Sequence, residues 1–276
     1  MDNSARERMM SNLKILLAGA VLVFSFAAAS AQEIVTLPTR SGVTQSFFIA
    51  SLPKDPKAIA VLFPGGPGLI RLRQEGGQIK FSPGNFLVRT RADFVKSGAI
   101  ATIIDAPSDF QSAGMSDDFR LGENHFTDIS AVVSDLGKRF PGVPVFLIGT
   151  SRGTISAAAL GAKFTSGISG VILTSTIFRQ SSGRNKQPGL SRFDFATIKT
   201  PLLFVHHVND GCDVCPYADA VRLAGKYPLI SVSGGKPPES GPCDALSAHG
   251  YFGKEPETVE QIVNWMVKKP FKDKVD

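Results

Sequence analysis

The stretch Val145–Gly153, with the sequence VFLIGTSRG, decides the predicted fold of this chain. It begins with an apolar run of strand length, Val145–Ile148, and continues directly into Gly149–Gly153, which reads GTSRG. The segment that follows, Thr154–Lys163, consists mainly of small and apolar residues and is compatible with a helix. A G-x-S-x-G motif between a strand and a helix places its serine at the apex of a strained turn, with the hydroxyl free to react. The pattern therefore predicts Ser151 as a nucleophile.

The two glycines of this motif are expected to be required by packing. The turn brings a strand and a helix very close together, so a side chain at Gly149 or Gly153 would collide with the neighbouring strand or helix. We therefore expect a neighbouring strand or helix to approach both positions closely.

Short apolar strands alternate with amphipathic segments after Ala58, and two further strands precede them. Strands are predicted at Glu33–Leu37, Val43–Ile49, Ala58–Phe63, Ala99–Ile104, Val145–Ile148, Val171–Thr174, Pro201–Val205 and Leu229–Val232, and helices at Phe86–Lys96, His125–Phe140, Thr154–Lys163 and from Pro256 to Pro270. This alternation predicts an α/β fold with a mostly parallel sheet, helices on both faces and an antiparallel N-terminal hairpin at one edge. No internal repeat or low-complexity linker interrupts the pattern, so residues 32–276 are predicted to form one domain.

The first 31 residues have the pattern of a secretory signal peptide. A basic lead ends at Lys14, an uncharged and mostly apolar run covers Ile15–Ala28, and Ala29–Ala31 supplies an A-x-A cleavage signature. A membrane anchor is the alternative, but the 17 uncharged residues that end at Ala31 are at the short limit for crossing a bilayer. Export to the periplasm or the medium is predicted, with cleavage of residues 1–31 and no stable membrane insertion afterwards.

A serine nucleophile needs a base, and the chain has four histidines. In a parallel sheet the partners of the serine come from loops at the carboxyl ends of the strands. His249 lies in such a loop, between the last predicted strand and the last helix, and is the predicted base. His206 and His207 end an earlier strand and His125 begins a helix, and these three remain the alternatives.

An acid must orient the base and stabilise its charged form. Asp210 lies on an Asn-Asp-Gly turn soon after a predicted strand and is the predicted acid. Asp213 is its competitor, and Asp105 also ends a strand but precedes the nucleophile in the chain. The order Ser151, Asp210, His249 is the order expected after a G-x-S-x-G motif in this kind of sheet.

The oxyanion of the reaction needs backbone N–H donors. One is predicted to be the N–H of Arg152, which directly follows the nucleophile. The other is expected from the loop Pro64–Gly68, and Gly66 is preferred among its three glycines because bare backbone lets a substrate carbonyl come close.

These motifs together resemble those of serine hydrolases of the α/β-hydrolase fold. The resemblance covers Val43–Lys269, and the turn at Ser151 is its most specific part, followed by the NDG at Asp210 and the HG at His249. It implies a small-molecule ester substrate that is cleaved through an acyl-enzyme on Ser151, with no cofactor and no metal.

The loop Pro64–Gly68 is similar to the HGG-type oxyanion loop of this family, with Pro64 where histidine is usual. It is also similar to the HGGPG loop of proline iminopeptidases. Those enzymes carry a helical cap, for which the 25 residues of Ser175–Lys199 leave no room. The chain is therefore most similar to small, lid-less, exported α/β-hydrolases. Aminopeptidase-like amide hydrolysis and a non-catalytic binding protein on the same fold are the alternative functions.

The three cysteines allow one disulfide and leave one thiol over. If acid and base converge on Ser151, a Cys212–Cys243 bond would tie their loops together, and this pairing is preferred. Cys212–Cys215 and Cys215–Cys243 are the alternatives. A zinc site is not expected, because the C-x-x-C at Cys212 and Cys215 would need two further ligands.

The chain carries a formal charge of +6, but its basic residues are scattered and are not interleaved with aromatic ones, so no nucleic acid partner is predicted. The basic residues at Lys268–Lys274 are interpreted as a solvated tail. The Arg152 side chain either contacts an anionic group of the substrate or pairs with a carboxylate such as Asp105. Leu69–Asn85, Ala106–Asn124 and Ser175–Lys199 are expected to line the entrance to the site.

Overall fold

The computed structural model describes residues 32–182 and 186–276, and the predicted signal peptide lies outside these residues. In chain order the strands are β1 (Glu33–Arg40), β2 (Val43–Ile49), β3 (Ala58–Phe63), β4 (Arg73–Glu75), β5 (Gln78–Lys80), β6 (Ala99–Ile104), β7 (Val145–Thr150), β8 (Gly170–Thr174), β9 (Leu202–His207), β10 (Leu229–Val232) and β11 (Lys274–Val275). The helices are α1 (Phe86–Arg89), α2 (Arg91–Lys96), α3 (Asp117–Leu121), α4 (Glu123–Arg139), α5 (Gly153–Lys163), α6 (Tyr217–Leu223) and α7 (Glu255–Met266). Among the described residues, no helix is both long and apolar enough to cross a membrane.

A nine-stranded sheet has the order β1-β2-β6-β3-β7-β8-β9-β10-β11. From β6 to β11 all neighbours are parallel, whereas β1 pairs with β2 and β2 with β6 in the antiparallel sense. The predicted α/β fold with an antiparallel hairpin at one edge is therefore confirmed. The strands β4 and β5 form a separate small hairpin.

Helices cover both faces of the sheet, because its parallel strands are apolar on both sides. In β3 all six residues are buried. Ile59, Val61 and Phe63 pack into one core with residues of α4 and α5. Ala58, Ala60 and Leu62 pack into the other core with residues of α1, α2 and α7. This two-sided burial explains why the strands read as continuous apolar runs rather than as alternating patterns.

The helix predicted over Phe86–Lys96 is divided at Thr90. The side chain of Asn85 caps its start, accepting a hydrogen bond from the backbone N–H of Leu87 at 3.1 Å. The hydroxyl of Thr90 donates to the carbonyl of Phe86 at 2.8 Å, and Thr90 separates α1 from α2. A threonine that bonds back to the preceding turn competes with regular helix, which explains the division.

Several short elements are absent from the sequence prediction. The segment Ala106–Asn124 contains α3 and a short 3-10 helix at Ser108–Phe110, and α6 follows the turn of the candidate acid. The basic tail is partly ordered, because β11 pairs in parallel with β10 and buries Val275 while Lys274 stays exposed. These elements have too few residues to show a clear hydrophobic period.

The parallel strands β3, β7, β8 and β9 end at the same edge of the sheet. The residues that follow them are therefore neighbours in space although they are far apart in sequence. Pro64–Gly68 follows β3, Ser151 follows β7, Ser175 follows β8, and the turn with Asp210 follows β9. This edge is where the candidate site is found.

Candidate active site

Ser151 lies at the apex of a tight turn between β7 and α5. Its backbone has φ of 52°, a left-handed conformation that is unfavourable for a residue with a side chain. The turn is held by neighbouring elements, since the N–H of Ser151 donates to the carbonyl of Thr174 at 3.0 Å. The N–H and the hydroxyl of Thr154 donate to the carbonyl of Ser151 at 2.9 and 2.6 Å. The hydroxyl of Ser151 makes no hydrogen bond to any residue that the structure describes.

The two glycines of the motif sit where only a hydrogen fits. A Cβ atom added at Gly149 would lie 2.3 Å from the carbonyl oxygen of Gly153, at the start of α5. A Cβ atom added at Gly153 would lie 2.0 Å from the carbonyl oxygen of Phe63, at the end of β3. The close approach of strand and helix that the motif predicts is thus present at both positions.

The candidate acid and base form a buried pair. Nδ1 of His249 lies 3.0 Å from Oδ2 and 3.2 Å from Oδ1 of Asp210. The side chains are 4% and 0% exposed, so water competes little for this contact. The Oδ1 atom also accepts from the backbone N–H of Cys212 at 3.0 Å, which fixes the carboxylate. With Nδ1 directed at the carboxylate, the remaining ring nitrogen of His249 is free to act as a base.

The loop that carries His249 is anchored to the ends of two strands. The hydroxyl of Ser175, directly after β8, donates to the carbonyl of His249 at 2.8 Å. The hydroxyl of Tyr251 donates to the carbonyl of Val205 in β9 at 2.7 Å. Sequence reasoning missed both positioning residues. The place of Ser175, immediately after a strand at the site edge, is the signal that could have indicated it.

Ser151 and His249 line the same cavity, which has a volume of about 230 Å³. The Nε2 atom of His249 is buried and has no hydrogen-bond partner among the described residues. Gly65 and Gly66 line this cavity as well, and so does Asp244. Both groups are thus unpaired in side chains that line one cavity, and proton transfer between them requires that they come within hydrogen-bond distance.

A second cavity of about 200 Å³ lies on another side of Ser151. Its walls include Arg152, Asp117, Ser181 and Gln187. Ser151, Gly66 and Cys243 line both cavities, so a substrate held at the serine could extend into both. Each of the three segments expected at the entrance contributes lining residues to one of the two cavities. Asn85 comes from Leu69–Asn85, Asp117 from Ala106–Asn124, and Ser181 and Gln187 from Ser175–Lys199.

The two predicted oxyanion donors are not used by the protein's own acceptors among the described residues. Within the part of the chain that the structure describes, the backbone N–H groups of Gly66 and Arg152 donate no hydrogen bond. The loop passes directly over the serine, because a Cβ atom added at Gly65 would lie 2.9 Å from Cβ of Ser151. Free N–H groups beside a nucleophile are suited to binding a developing oxyanion.

Two buried charged side chains hold the oxyanion loop and the residues that directly follow it. Nη2 of Arg120 donates to the carbonyl of Gly66 at 3.1 Å. The carboxylate of Asp105 accepts from the N–H groups of Ile70 and Leu72 at 2.8 and 2.9 Å. Burial lowers the pKa of Arg120 to about 9, with a further contribution from the charge of Arg152, while the charge of Asp117 opposes the shift.

The partner of the Arg152 side chain differs from the expected one. Its Nη2 atom forms an ion pair with Asp117 in α3, and the same atom lies 3.4 Å from Oε1 of Gln187. Asp105 is not available to Arg152, because its carboxylate accepts from the backbone N–H groups of Ile70, Leu72 and Ala106. The short helix α3, which the sequence pattern did not indicate, brings the actual partner into place.

The alternative bases have other contacts. His206 is fully buried, its Nε2 accepts from the backbone N–H of Thr176 at 2.9 Å, and burial lowers its pKa to about 3. His207 Nδ1 accepts from the N–H of Asn209 at 3.1 Å, which leaves Nε2 to donate to the carbonyl of Gly234 at 3.0 Å. Neither lies in the cavities at Ser151.

His125 is buried between aromatic rings and lines neither cavity at Ser151. Its ring centroid lies 6.1 Å from that of Phe63 and 5.4 Å from that of Phe119. Burial lowers its pKa from 6.5 to about 3, and the charges of Arg120 and Arg40 act in the same direction. The alternative acid, Asp213, is exposed and makes no hydrogen bond to His249.

The structure joins Cys212 to Cys243 and leaves Cys215 as a buried thiol, whose pKa burial raises. Ligand atoms of Cys212, Cys215 and His249 lie within 4.8 Å of one another. The sulfur of Cys212 is used in the disulfide, however, so a metal ion would find only two of these ligands. One of the two is the candidate base.

Known proteins share features with this chain. Residues 90–230 match the Hydrolase_4 family, described as Serine aminopeptidase, S33. No curated protein matches the chain. A lid-less α/β serine hydrolase from Xanthomonas campestris is 14% identical with a TM-score of 0.55, over 87% of this chain and 94% of that chain.

Two further solved structures have the same fold. Est1E from Butyrivibrio proteoclasticus, solved with ferulic acid bound, is 16% identical with a TM-score of 0.55, over 85% of this chain and 98% of that chain. A CIB-like hydrolase from Thermoplasma acidophilum is 14% identical with a TM-score of 0.55, over 86% of this chain and 99% of that chain. At these identities the likeness describes the fold alone.

Proposed function

Because the chain belongs to the Hydrolase_4 family, we propose that it is an exported serine hydrolase that cleaves a carboxylic ester through an acyl-enzyme on Ser151. The observation that carries this proposal is the buried pair of Asp210 and His249, in which His249 has an unpaired Nε2 and lines the cavity of Ser151. A binding protein has no chemical need for a buried carboxylate that orients an otherwise unpaired imidazole beside a free serine hydroxyl.

In the proposed mechanism the hydroxyl oxygen of Ser151 attacks the carbonyl carbon of the ester while His249 takes its proton at Nε2. The carbonyl oxygen becomes an oxyanion and accepts hydrogen bonds from the N–H groups of Gly66 and Arg152. Asp210 holds the imidazole in orientation and stabilises its charged form. The intermediate collapses as His249 gives the proton to the departing alkoxide, and an acyl-enzyme remains on Ser151.

The second half of the reaction repeats these steps with water. His249 takes a proton from a water molecule, whose oxygen attacks the acyl carbon. Collapse of the second intermediate returns the proton to Ser151 and releases the carboxylic acid. Losing one oxyanion donor typically costs about 3–4 kcal/mol of transition-state stabilisation, so both N–H groups are important in this scheme.

Export is proposed from the pattern of the first 31 residues. The disulfide between Cys212 and Cys243 supports it, because such bonds persist in oxidising compartments. Mass spectrometry of the protein from the periplasm or the medium tests the proposal, with Gln32 expected as the first residue. Full-length protein retained in the cytoplasm would contradict it.

The substitution Ser151→Ala tests the catalytic proposal. We expect it to abolish turnover of a short p-nitrophenyl ester and covalent labelling by a fluorophosphonate, while the protein stays folded. The matched control is Ser166→Ala at an exposed position outside both cavities. Turnover that persists in Ser151→Ala would eliminate the mechanism, and absence of labelling in folded wild-type protein would favour a non-catalytic binding protein.

Amide hydrolysis at a free amino terminus is the second candidate. The description of the family and the PGGPG loop favour it, and so does Asp244, an exposed carboxylate in the cavity of His249 that can pair with an α-ammonium group. Comparing p-nitrophenyl esters with aminoacyl p-nitroanilides separates the two. Hydrolysis of the anilides with a higher KM in Asp244→Asn would support the aminopeptidase-like function.

A further inference from the structure

The guanidinium of Arg152 is only partly used by the protein. Its Nη2 atom bonds to Asp117 and lies 3.4 Å from Gln187, but Nε and Nη1 make no hydrogen bond to any described residue. The side chain is 27% exposed and lines the second cavity, beside Ser151. The residue that follows the nucleophile thus has unused charged donors next to the nucleophile.

Asp117 holds the guanidinium of Arg152 in place, and the carboxylate of Asp117 is itself fixed by burial and by a second hydrogen bond. Its side chain is 1% exposed. One oxygen bonds to Arg152 and the other accepts from the backbone N–H of Gly189 at 3.0 Å. An arginine held at one nitrogen by a buried acid loses little conformational freedom when it binds an anion with the others.

The charges around the second cavity do not balance. Among the described residues, the buried guanidinium of Arg120 donates only to neutral acceptors, the hydroxyl of Ser156 at 2.8 Å and the carbonyl of Gly66 at 3.1 Å. Its charge interacts with the charges of Asp117 and Arg152. Of the described residues that line the cavity, Arg152 and Asp117 are the charged ones and they balance each other, so the charge of Arg120, which does not line the cavity, is the one in excess. A single additional negative charge would balance this cluster.

The chemistry proposed for Ser151 decides which part of a substrate lies in this cavity. His249 must protonate the departing alkoxide, so the alcohol part belongs in the cavity that contains His249. The acyl part then extends into the other cavity. The cavity there has a volume of about 200 Å³, which admits a short acyl chain.

We propose that the second cavity binds a carboxylate at the far end of the acyl chain, held by Nε or Nη1 of Arg152. The substrates would then be esters of short dicarboxylic acids in which one carboxyl group is free. This inference rests on the proposed function, because it assigns the acyl side from the role of His249. A monoanion fits the excess of one charge, whereas a dianionic phosphate would exceed it.

Monoethyl glutarate and ethyl pentanoate form a matched pair of substrates for the test. They have the same acyl length and alcohol and differ in the free carboxylate, and acid release in a pH-stat measures both. Hydrogen bonds to charged groups change affinities by about 10- to 100-fold, so we expect wild-type kcat/KM to favour the glutarate by that factor. Arg152→Gln should lower this ratio by the same factor, while Arg152→Lys should retain part of it.

Arg192→Gln is the control for the loss of one positive charge. Arg192 is exposed and lines neither cavity, so its substitution should leave the ratio unchanged. A ratio near one in the wild-type protein, or an equal ratio in wild type and Arg152→Gln, would overturn the inference. Denaturant midpoints of the variants show whether each one is folded. If Arg152→Gln is misfolded, the substrate ratio of Arg152→Lys is compared with that of the wild-type protein instead.

A binding measurement separates failure of the subsite from failure of the proposed function. Butanoate, a monoanion that corresponds to the glutarate chain without its ester group and is not hydrolysed, should raise the melting temperature of the wild-type protein but not that of Arg152→Gln. Lack of fluorophosphonate labelling at Ser151 together with butanoate binding would refute the hydrolase and keep the anion site. Labelling without butanoate binding or a substrate preference would keep the hydrolase and refute the anion site.

Discussion

Cys212 is bonded to Cys243 across a sequence separation of 31 residues, and the N–H of Cys212 also donates to the carboxylate of Asp210 at 3.0 Å. The bond joins the turn of the candidate acid to the segment that leads to His249. The relative position of the Asp210 and His249 loops therefore depends on a covalent link as well as on packing.

Removing this link should reduce both stability and activity. In the chain-entropy model, closing a loop of about 30 residues stabilises the folded state by roughly 3–4 kcal/mol. We expect the double variant Cys212→Ser/Cys243→Ser to lose about this free energy of unfolding in a denaturant titration, and its kcat to fall. Cys215→Ser is the control that keeps the bond, and counting one thiol in denatured wild-type protein checks the pairing. Unchanged stability in the double variant would contradict this prediction.

Asp210→Asn should impair catalysis without unfolding the protein. An amide can present its N–H group to Nδ1 of His249, which then favours the wrong tautomer of the imidazole. We expect kcat for a p-nitrophenyl ester to fall by about 10⁴-fold, the effect typical of this change in a Ser-His-Asp triad. Asp213→Asn, three residues further on and exposed, should leave kcat nearly unchanged. The reverse outcome would assign the acid to Asp213.

Gly153→Ala should destabilise the protein strongly, because the new Cβ atom would lie 2.0 Å from the backbone oxygen of Phe63. Backbone cannot move aside as a side chain can, so a loss of about 3 kcal/mol or more is expected. Gly137→Ala, in an exposed part of α4 with nothing within 4 Å of the added Cβ, should instead stabilise the protein by about 0.5–1 kcal/mol. Similar unfolding midpoints for both variants would show that the turn is less tightly packed than described.

His125 should make the protein sensitive to acid. Its pKa is about 3 in the folded protein against an ordinary 6.5, so below pH 6.5 the unfolded chain takes up a proton that the folded protein does not. The contribution of neutral His125 to the unfolding free energy is therefore fully present above pH 6.5. It is lost as the pH falls towards 3, at up to about 1.4 kcal/mol per pH unit. His125→Leu should reduce the slope of unfolding free energy against pH by up to this amount, because one proton less is taken up. An unchanged slope would mean that His125 is not the source, and the buried His206 would remain as the other candidate.

Much of the fold follows from local patterns in the sequence. Buried parallel strands such as Ala58–Phe63 are continuous apolar runs because helices cover both faces of the sheet. The turn at Ser151 is recognisable because two glycines are needed where strand and helix touch. The order of the candidate nucleophile, acid and base along the chain could be predicted as well, because each directly follows a strand or lies in the loop after one.

The sequence by itself thus determined the α/β architecture, the edge of the sheet where the candidate site lies and the residue types that meet there. Only the tertiary structure decided that Arg152 pairs with Asp117 rather than Asp105, and that Ser175 and Tyr251 hold the loop of His249. The physical reason is that these contacts join residues from different loops and short helices. A hydrophobic period or a turn motif reports on neighbours along the chain, whereas the partner of a buried charge depends on which segments the complete fold brings together.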